Sequence, residues 1–411
     1  MNLYIFTELE RRGAAYGIGS YIRELSASMK NSDVKVFVIY LRSDSAQIVK
    51  VESDDGIVCR YYPSPISEHL SIDYQHQSDL YYKNIVYLLQ LHIEDRSNLI
   101  FHLNGNQCSH FAEELKKKFD CRIVLTVHNF NWCFMLSGNL KRFRHALNTG
   151  PTVQFENEKK EIMDSFQKEK ETFEAVDRII CVSEHTRMIL QEDYRINHEK
   201  TTVIYNGLID GVPASNKLKL RRKYQVPDIP VFIFAGRLEN LKGLMYLLSA
   251  FRIVLYKFPH CQLFIAGEGS FDIFMRACED IWMNVTWTGL VRKDKLYELF
   301  TIADIGVVPS LYESFGYVAV EMMMHGLPVI TTGTAGLNEV ADDYCGYKIP
   351  LIEHDDSVEF DTDLLAAKML YMLENPDERI LLGENARKRY EQLFSSDVYR
   401  RNMLNFYRTL F

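Results

Sequence analysis

Pro309-Ser-Leu-Tyr-Glu313-Ser-Phe-Gly316-Tyr-Val-Ala-Val-Glu321-Met-Met-Met-His-Gly326-Leu-Pro328 reads as a strand end, a loop, a helix and a stop. The run before it, Asp304-Ile-Gly-Val-Val-Pro309, is a short apolar strand closed by proline. Tyr317 to His325 is then expected as a helix that Gly326 caps and Pro328 terminates. Such a helix turns its free backbone N–H groups to the carboxyl end of the strand, where anions bind in α/β sheets. Glu313 sits just before the helix, and Glu321 inside it leans back toward the same end. Glu321 is flanked by Val320, Met322 and Met323, where an ionised carboxylate is costly unless it is hydrogen-bonded, so a polar ligand is its natural partner. Two acceptors and a phosphate cradle on one crevice suit a ribose and a sugar flanking a diphosphate. A core helix with one hydrogen-bonded glutamate would explain Glu313-x7-Glu321 alone; the proline before and the Gly-Leu-Pro after point to a site.

Working outward, short apolar runs alternate with longer amphipathic ones, the pattern of doubly wound parallel sheets. In the first half the strands are expected at Leu3–Phe6, Val34–Tyr40, Ile57–Tyr62, Leu99–Leu103, Arg122–Val127, Arg178–Val182 and Thr202–Ile204. Turn residues concentrate in Asn206-Gly-Leu-Ile-Asp-Gly211-Val-Pro213, and strand signals resume at Val231. The division follows: an N-terminal domain over 1–210 and a C-terminal domain over 211–396. A terminal helix over 397–411 is expected to return to the first domain.

The 411 residues are 47% hydrophobic and 25% charged, enough for two ordinary cores, and the net charge of −8 argues against non-specific nucleic-acid binding. Eight scattered cysteines show neither C-x-x-C nor zinc spacing and read as reduced thiols in the cytoplasm. Met1-Asn-Leu-Tyr-Ile-Phe6 is too short for a signal peptide and reads as a buried strand. No run approaches the ~18 apolar residues of a membrane span.

Several strand ends carry chemistry. Val231-Phe-Ile-Phe-Ala-Gly236-Arg237-Leu-Glu-Asn-Leu-Lys242-Gly243 delivers an arginine that can fork onto phosphate oxygens and a lysine that supplies a point charge, although two such cations are also common surface residues. Val124-Leu-Thr-Val-His128-Asn129 and Phe101-His102 each put a histidine at a strand's carboxyl end, where a satisfied core imidazole is the commoner explanation. Gly17 and Gly19, in Arg11-Arg-Gly13-Ala-Ala-Tyr-Gly17-Ile-Gly19, precede an amphipathic helix and suit close backbone approach, but miss the G-x-G-x-x-G register of a nicotinamide site. Gly267 and Gly289 end two further strands. Asp361-Thr-Asp363 falls in a polar loop and carries little weight as a metal site. Lys141-Arg-Phe-Arg144, with Trp132 and Phe134, is either a solvated face or a contact for an anionic acceptor or a membrane within 132–170.

Taken together, Glu313-Ser-Phe-Gly316 with Glu321, Gly236-Arg-Leu-x-x-x-Lys242-Gly and Thr126-x-His128-Asn resemble the family-4 retaining glycosyltransferases of GT-B fold. The resemblance is strongest from Val231 to Val340 and weakest from Asn131 to Lys170. It implies two Rossmann-like domains facing across a cleft, with a nucleoside-diphosphate sugar, UDP-sugar favoured, on the second and the acceptor on the first. Arg237, Lys242 and the N–H groups of Ser314, Phe315 and Gly316 would hold the diphosphate without metal or other cofactor, with Gly17, Gly19 and Gly236 close to it. Glu313 would take donor-sugar hydroxyls, Glu321 the ribose, and His128 the sugar near its reacting carbon. Gly267, Gly289, Leu290 and Val291 would border base and ribose. The expected reaction is front-face transfer to a saccharide, lipid-linked or peptide acceptor, in the cytoplasm or on the cytoplasmic face of a membrane. The alternatives are a phosphorylase or epimerase of the same fold and a silent nucleotide-sugar binder.

Overall fold

The structure, a computed structural model, describes residues 1–8, 17–30, 32–54, 56–64, 74–148 and 156–411. Residues 11–16 of the first glycine turn and 149–155 of the basic and aromatic stretch lie outside the described residues. Two compact units are present. The first comprises Met1–Asn131, Ala146–Gly207 and Ser396–Phe411, the second Trp132–His145 and Leu208–Ser395.

The first unit is built on an eight-stranded sheet of β1 (Asn2–Thr7), β2 (Lys35–Ser43), β3 (Lys50–Asp54), β4 (Ile57–Pro63), β5 (Leu99–Leu103), β6 (Cys121–Val127), β7 (Arg178–Cys181) and β8 (Thr201–Val203). Their order is β3-β4-β2-β1-β5-β6-β7-β8, parallel throughout except for β3 against β4. The central strands read as unbroken apolar runs because both faces are covered, and every residue of β5 is buried. β3, Lys50-Val-Glu-Ser-Asp54, escapes a search for apolar runs because it is a polar edge strand. From β1 the chain winds outward through β2 and then returns to β5 on the other side, so the topological switch point lies between β1 and β5.

His102 on β5 is fully buried, with Nδ1 2.6 Å from the Tyr407 hydroxyl and Nε2 2.7 Å from the Thr126 hydroxyl. Burial, aided by nearby His128, drives its pKa down to about 3. It is a neutral core histidine that ties the helix Ser396–Arg408 to this unit.

The second unit carries six parallel strands: β9 (Val231–Ala235), β10 (Gln262–Ala266), β11 (Val285–Gly289), β12 (Ile305–Val308), β13 (Val329–Thr332) and β14 (Gly346–Ile349). Their order, β11-β10-β9-β12-β13-β14, puts the switch point between β9 and β12. A two-stranded hairpin, β15 (Leu351–Glu353) and β16 (Val358–Phe360), follows. The two units anchor their sheets alike. Asp304, ahead of β12, donates its N–H to Val231 O (2.8 Å) and accepts the Val231 N–H on Oδ2 (2.8 Å). Asp177, ahead of β7, does the same with Ile123 at 2.9 and 2.7 Å.

Trp132–His145, placed by sequence within 1–210, packs in the second unit. Trp132 stacks on Phe143 with ring centroids 4.3 Å apart and meets Tyr312 edge-on at 6.2 Å. Asn139 Nδ2 donates to His354 O and Ser357 O at the hairpin turn (2.8 and 3.1 Å), and Lys141 Nζ lies 2.6 Å from Asp355 Oδ1. Aromatic burial and an acidic turn, both distant in sequence, decide where this segment goes. The Asp361-Thr-Asp363 pair is a helix start: Asp361 Oδ1 accepts the Leu364 N–H (3.0 Å) and caps Thr362–Glu374.

Candidate functional site

In the second unit the chemistry gathers at the β9/β12 switch point. Gly236 donates to Ala266 O (2.9 Å) and Gly267 to Gly289 O (3.0 Å), so the three strand-end glycines are stitched into one rim, which Leu290 and Val291 continue. Leu290 is half exposed on it. Beyond Gly236, Arg237 is 45% exposed and 3.0 Å from Glu239 Oε1. An exposed pair of this kind contributes little to stability and exchanges readily for another anion.

Gly243 has φ 68°, and a Cβ there would lie 1.8 Å from Pro309 O. Only glycine lets the loop after β9 approach the loop after β12 this closely. A second backbone bond, Leu311 N–H to Leu241 O (2.8 Å), clamps the same two loops. The clamp brings Lys242 Nζ to 2.5 Å from Glu313 Oε1, with side chains 17% and 21% exposed.

Glu313 is followed by Ser314, Phe315 and Gly316. Gly316, at φ 103°, is the N-cap of Tyr317–Met324, and a Cβ on it would reach within 2.8 Å of Leu337 Cδ1. The first N–H groups of a helix have no intrahelical acceptor and carry the positive end of its dipole. The loop is held from behind by Gly336 N–H to Glu313 O (3.0 Å) and Thr334 Oγ1 to Leu311 O (3.0 Å).

Glu321 corrects one expectation. The residue is buried, but Tyr297 Oη donates to its Oε1 at 3.2 Å and Lys293 Nζ lies 3.6 Å away, both from the helix Lys293–Ile302. The fold supplies partners, so burial of this carboxylate does not by itself call for a ligand.

The first unit has a cavity of about 340 Å³ where β1, β5 and β6 end, at its own switch point. His128 lines it at the end of β6. Asn104 Nδ2 donates to Phe6 O (3.0 Å), which turns the amide oxygen toward His128 Nε2 at 2.9 Å. The Phe6 carbonyl thus sets the Asn104 amide, and Asn104 sets the tautomer: the proton is on Nε2 and Nδ1 is the acceptor. Desolvation holds the His128 pKa down to about 3. The imidazole is therefore neutral at physiological pH, able to accept a hydroxyl hydrogen bond but not to act as a cation. Tyr21 packs against it edge-on at 4.6 Å. Gly17 and Gly19 fall within the first turn of the helix Gly17–Ser28 rather than ahead of it, and Ile18 between them lines the cavity.

Two functional candidates escape the sequence reading. Glu169, in the charged helix Glu156–Ala175, is fully buried. Its Oε1 accepts the Asn131 N–H (2.8 Å) and Asn106 Nδ2 (3.5 Å), its Oε2 accepts the Tyr194 hydroxyl, and desolvation pushes its pKa up to about 7. It braces two loops that line the cavity. Glu8, just after β1, lines the cavity directly and accepts from Arg42 and Tyr82. Neither stands in a recognisable motif, because each depends on partners tens of residues away.

Comparison with known proteins bears on both halves. Residues 15–210 match the Glycosyltransferase Family 4 family and residues 216–389 the Glycosyl transferases group 1 family. An uncharacterized glycosyltransferase of Methanocaldococcus jannaschii is 28% identical over 240 residues, 56% of this chain and 60% of that one. The chain spans 60%, 52% and 48% of the first three curated relatives. Sucrose-phosphate synthase from Thermosynechococcus elongatus superposes with a TM-score of 0.74 at 20% identity, over 100% of this chain and 98% of that one. HepE of Anabaena, solved with UDP and glucose, superposes at 0.71 with 15% identity, over 98% of each chain. With both doubly wound sheets present and the two family matches together running through residues 15–389, the chain belongs to the family-4, group 1 glycosyltransferases of GT-B fold.

Proposed function

We propose that the protein transfers a sugar from a nucleoside-diphosphate sugar to a hydroxyl-bearing acceptor, with retention of configuration and without a metal. The Lys242–Glu313 pair, set beside the N–H groups of Ser314–Gly316 at the β9/β12 switch point, carries this reading. A diphosphate leaving group develops negative charge as the glycosidic bond breaks. Lys242, Arg237 and the helix N-terminus are the groups that would stabilise it, and loss of one such donor typically costs ~10²–10³ in rate. A carboxylate already bound to an ammonium is suited to orient sugar hydroxyls rather than to attack carbon, which fits a front-face reaction in which the leaving phosphate takes the acceptor's proton. Glu321 is assigned to the ribose. Gly267, Gly289, Leu290 and Val291 are assigned to the base side, with UDP favoured because HepE was solved with UDP.

On the first unit, the cavity at the β1/β5 switch point is assigned to the acceptor, a saccharide free, lipid-linked or on peptide, with His128 Nδ1 on a substrate hydroxyl. All eight cysteines are free and buried, which supports a reducing cytoplasmic setting. No described helix is long and apolar enough to cross a membrane; a peripheral contact through 132–170 would have to use a basic cluster whose Lys141 pairs with Asp355 and whose Arg142 donates to Asp356 O (3.2 Å).

Thermal unfolding with UDP-, GDP- and ADP-sugars and NAD, each with magnesium and with EDTA, tests the donor half. A ligand at 100 times its dissociation constant adds ~2.7 kcal/mol. Stabilisation by one nucleotide sugar, indifferent to EDTA and lost in Arg237→Ala, is the expected result, and transfer or hydrolysis of that donor must follow. Stabilisation by NAD alone, or donor binding that Arg237→Ala leaves untouched, would overturn it.

A further inference from the structure

The cavity of the first unit is notable for its charge. Among the described residues that line it, Glu8 is the one with a formal charge at neutral pH, since burial keeps His128 uncharged. Much of the remaining wall is carboxamide, from Asn104, Asn106, Gln107, Asn129 and Asn131, with Phe6, Ile18 and Phe111 supplying apolar surface. Asn104 is engaged at both ends of its amide, and Asn106 and Gln107 at their nitrogens, so the Asn106 and Gln107 oxygens and the Asn129 and Asn131 amides, beside apolar faces and one carboxylate, are what match the surface of an uncharged sugar or cyclitol ring.

Glu8 is held by a dedicated support. Arg42 Nη1 donates to Glu8 Oε1 (2.5 Å) and also to Tyr82 Oη (2.8 Å), its Nη2 donates to Ser78 Oγ (2.7 Å), and its guanidinium lies 5.0 and 4.9 Å from the ring centroids of Tyr81 and Tyr82. Arg42 itself has φ 49°, a left-handed conformation that costs a non-glycine residue ~1 kcal/mol or more, and its N–H donates to Tyr81 Oη (2.8 Å). The Tyr82 hydroxyl also donates to Glu8 Oε1. Both supports fall on one oxygen of a carboxylate that can accept about four hydrogen bonds, and 42% of the side chain stays exposed.

We propose that this cavity takes an uncharged, hydroxyl-rich ring whose hydroxyls donate to the Glu8 carboxylate, and that Glu8, fixed by Arg42, selects against phosphorylated rings. The assignment rests on reading the cavity as the acceptor side. A phosphate dianion placed here would meet a carboxylate at short range, and the cation behind that carboxylate is already engaged and largely buried. A hydroxyl pair instead donates to the carboxylate and needs no counter-ion. Arg11 and Arg12, outside the described residues, follow Glu8 in the chain; a cation supplied from there would show as phosphate binding, the outcome that overturns the assignment.

The test is saturation-transfer NMR on the full chain with glucose, galactose, N-acetylglucosamine, myo-inositol, glucose 6-phosphate and inorganic phosphate as probes, with and without UDP. At least one neutral ring is expected to bind, and Glu8→Gln to weaken it by ~10-fold or more. Glu8→Gln leaves Arg42 without its counter-ion and is checked for folding by its thermal transition. Tyr82→Phe, which keeps the carboxylate and removes one of its two supports, is the second variant and should lose part of the same affinity. No neutral ring binding, equal or tighter binding of glucose 6-phosphate, or neutral-ring binding unchanged in both variants would each overturn the proposal. Nucleotide-sugar binding lost in Arg237→Ala but unaffected by Glu8→Gln would leave the transferase reading standing if this one fails. Neutral rings that bind through Glu8 while every nucleotide sugar fails would do the reverse.

Discussion

Lys242 Nζ and Glu313 Oε1 are 2.5 Å apart, joined across two strand-end loops that touch backbone to backbone at Gly243 and Pro309. In the proposed donor site these two groups compete: the ammonium that belongs on a diphosphate is held by the carboxylate that belongs on a sugar. Donor binding then exchanges one ion pair for another.

That competition separates two mutants by sign. Glu313→Gln releases Lys242, so the nucleoside diphosphate alone should bind no more weakly than to wild type while sugar turnover falls by ~10²-fold or more. Lys242→Ala should weaken the diphosphate and slow turnover together. Titration calorimetry with the diphosphate, set beside initial rates, reads both; a Glu313→Gln variant that loses diphosphate affinity contradicts the exchange. Arg237→Ala and Glu321→Ala are expected to act mainly on donor binding.

Asn104 acts through His128. Asn104→Ala removes the acceptor that keeps the proton on Nε2, so the imidazole samples the other tautomer and Nδ1 becomes a donor part of the time. Turnover should fall by about one hydrogen bond's worth, ~10-fold. Because the His128 pKa is held down to about 3, the wild-type rate profile should show no histidine inflection between pH 5 and 8. An inflection near 6.5 that disappears in His128→Asn would contradict this.

Glu169 makes stability pH-dependent in a direction that can be stated. Its folded pKa of about 7 lies above the ordinary 4.5, because desolvation outweighs the bonds from Tyr194, Asn131 and Asn106. Between those values the native state binds more protons than the unfolded one, so stability falls as pH rises from about 4.5 to about 7 and is level beyond. Glu169→Gln keeps a carbonyl for the Asn131 N–H and removes the titration. It should be more stable than wild type at pH 8 by up to about 3 kcal/mol and little different at pH 4.5. Urea unfolding at the two pH values checks it; a variant equally shifted at both would mean packing, not charge, dominates.

Asp304 anchors its sheet through a buried network that also holds Arg221 Nη2 (2.6 Å) and Lys217 Nζ (2.6 Å). Asp304→Asn leaves Arg221, 10% exposed, with only the long contact to fully exposed Asp228 (3.7 Å) as counter-ion, and should destabilise the second unit by ~3 kcal/mol. Asp177→Asn, whose partner Lys116 is 37% exposed, should cost the first unit far less, about 1 kcal/mol. Hydrogen exchange along β9 and β6 respectively reports the two losses.

Much of the architecture was legible in the residues. Unbroken apolar runs such as Leu99–Leu103 and Val231–Ala235 mark strands covered on both faces, and the expected strands of the first half lie where the structure has them. The motifs Gly236-Arg-Leu-x-x-x-Lys242-Gly and Glu313-x7-Glu321 named the loops that meet at the second switch point, because each is contiguous and ends a strand. The polar edge strand β3, the hairpin β15–β16 and the placement of Trp132–His145 were not legible, since their burial comes from partners rather than from their own periodicity.

Periodicity within a segment determines whether it is helix or strand and which side is apolar, and that local information sufficed for the doubly wound α/β class; the family rested on the resemblance of contiguous motifs such as Gly236-Arg-Leu-x-x-x-Lys242-Gly. Tertiary structure alone decided that Glu321 has protein partners, that Phe6 O sets the His128 tautomer through Asn104, that Glu169 lies beneath the cavity loops, and that Arg42 fixes Glu8. The physical reason is common to all four. A hydrogen bond depends on the distance between groups 24 to 98 residues apart in the chain, and nothing in either segment's own composition records that distance.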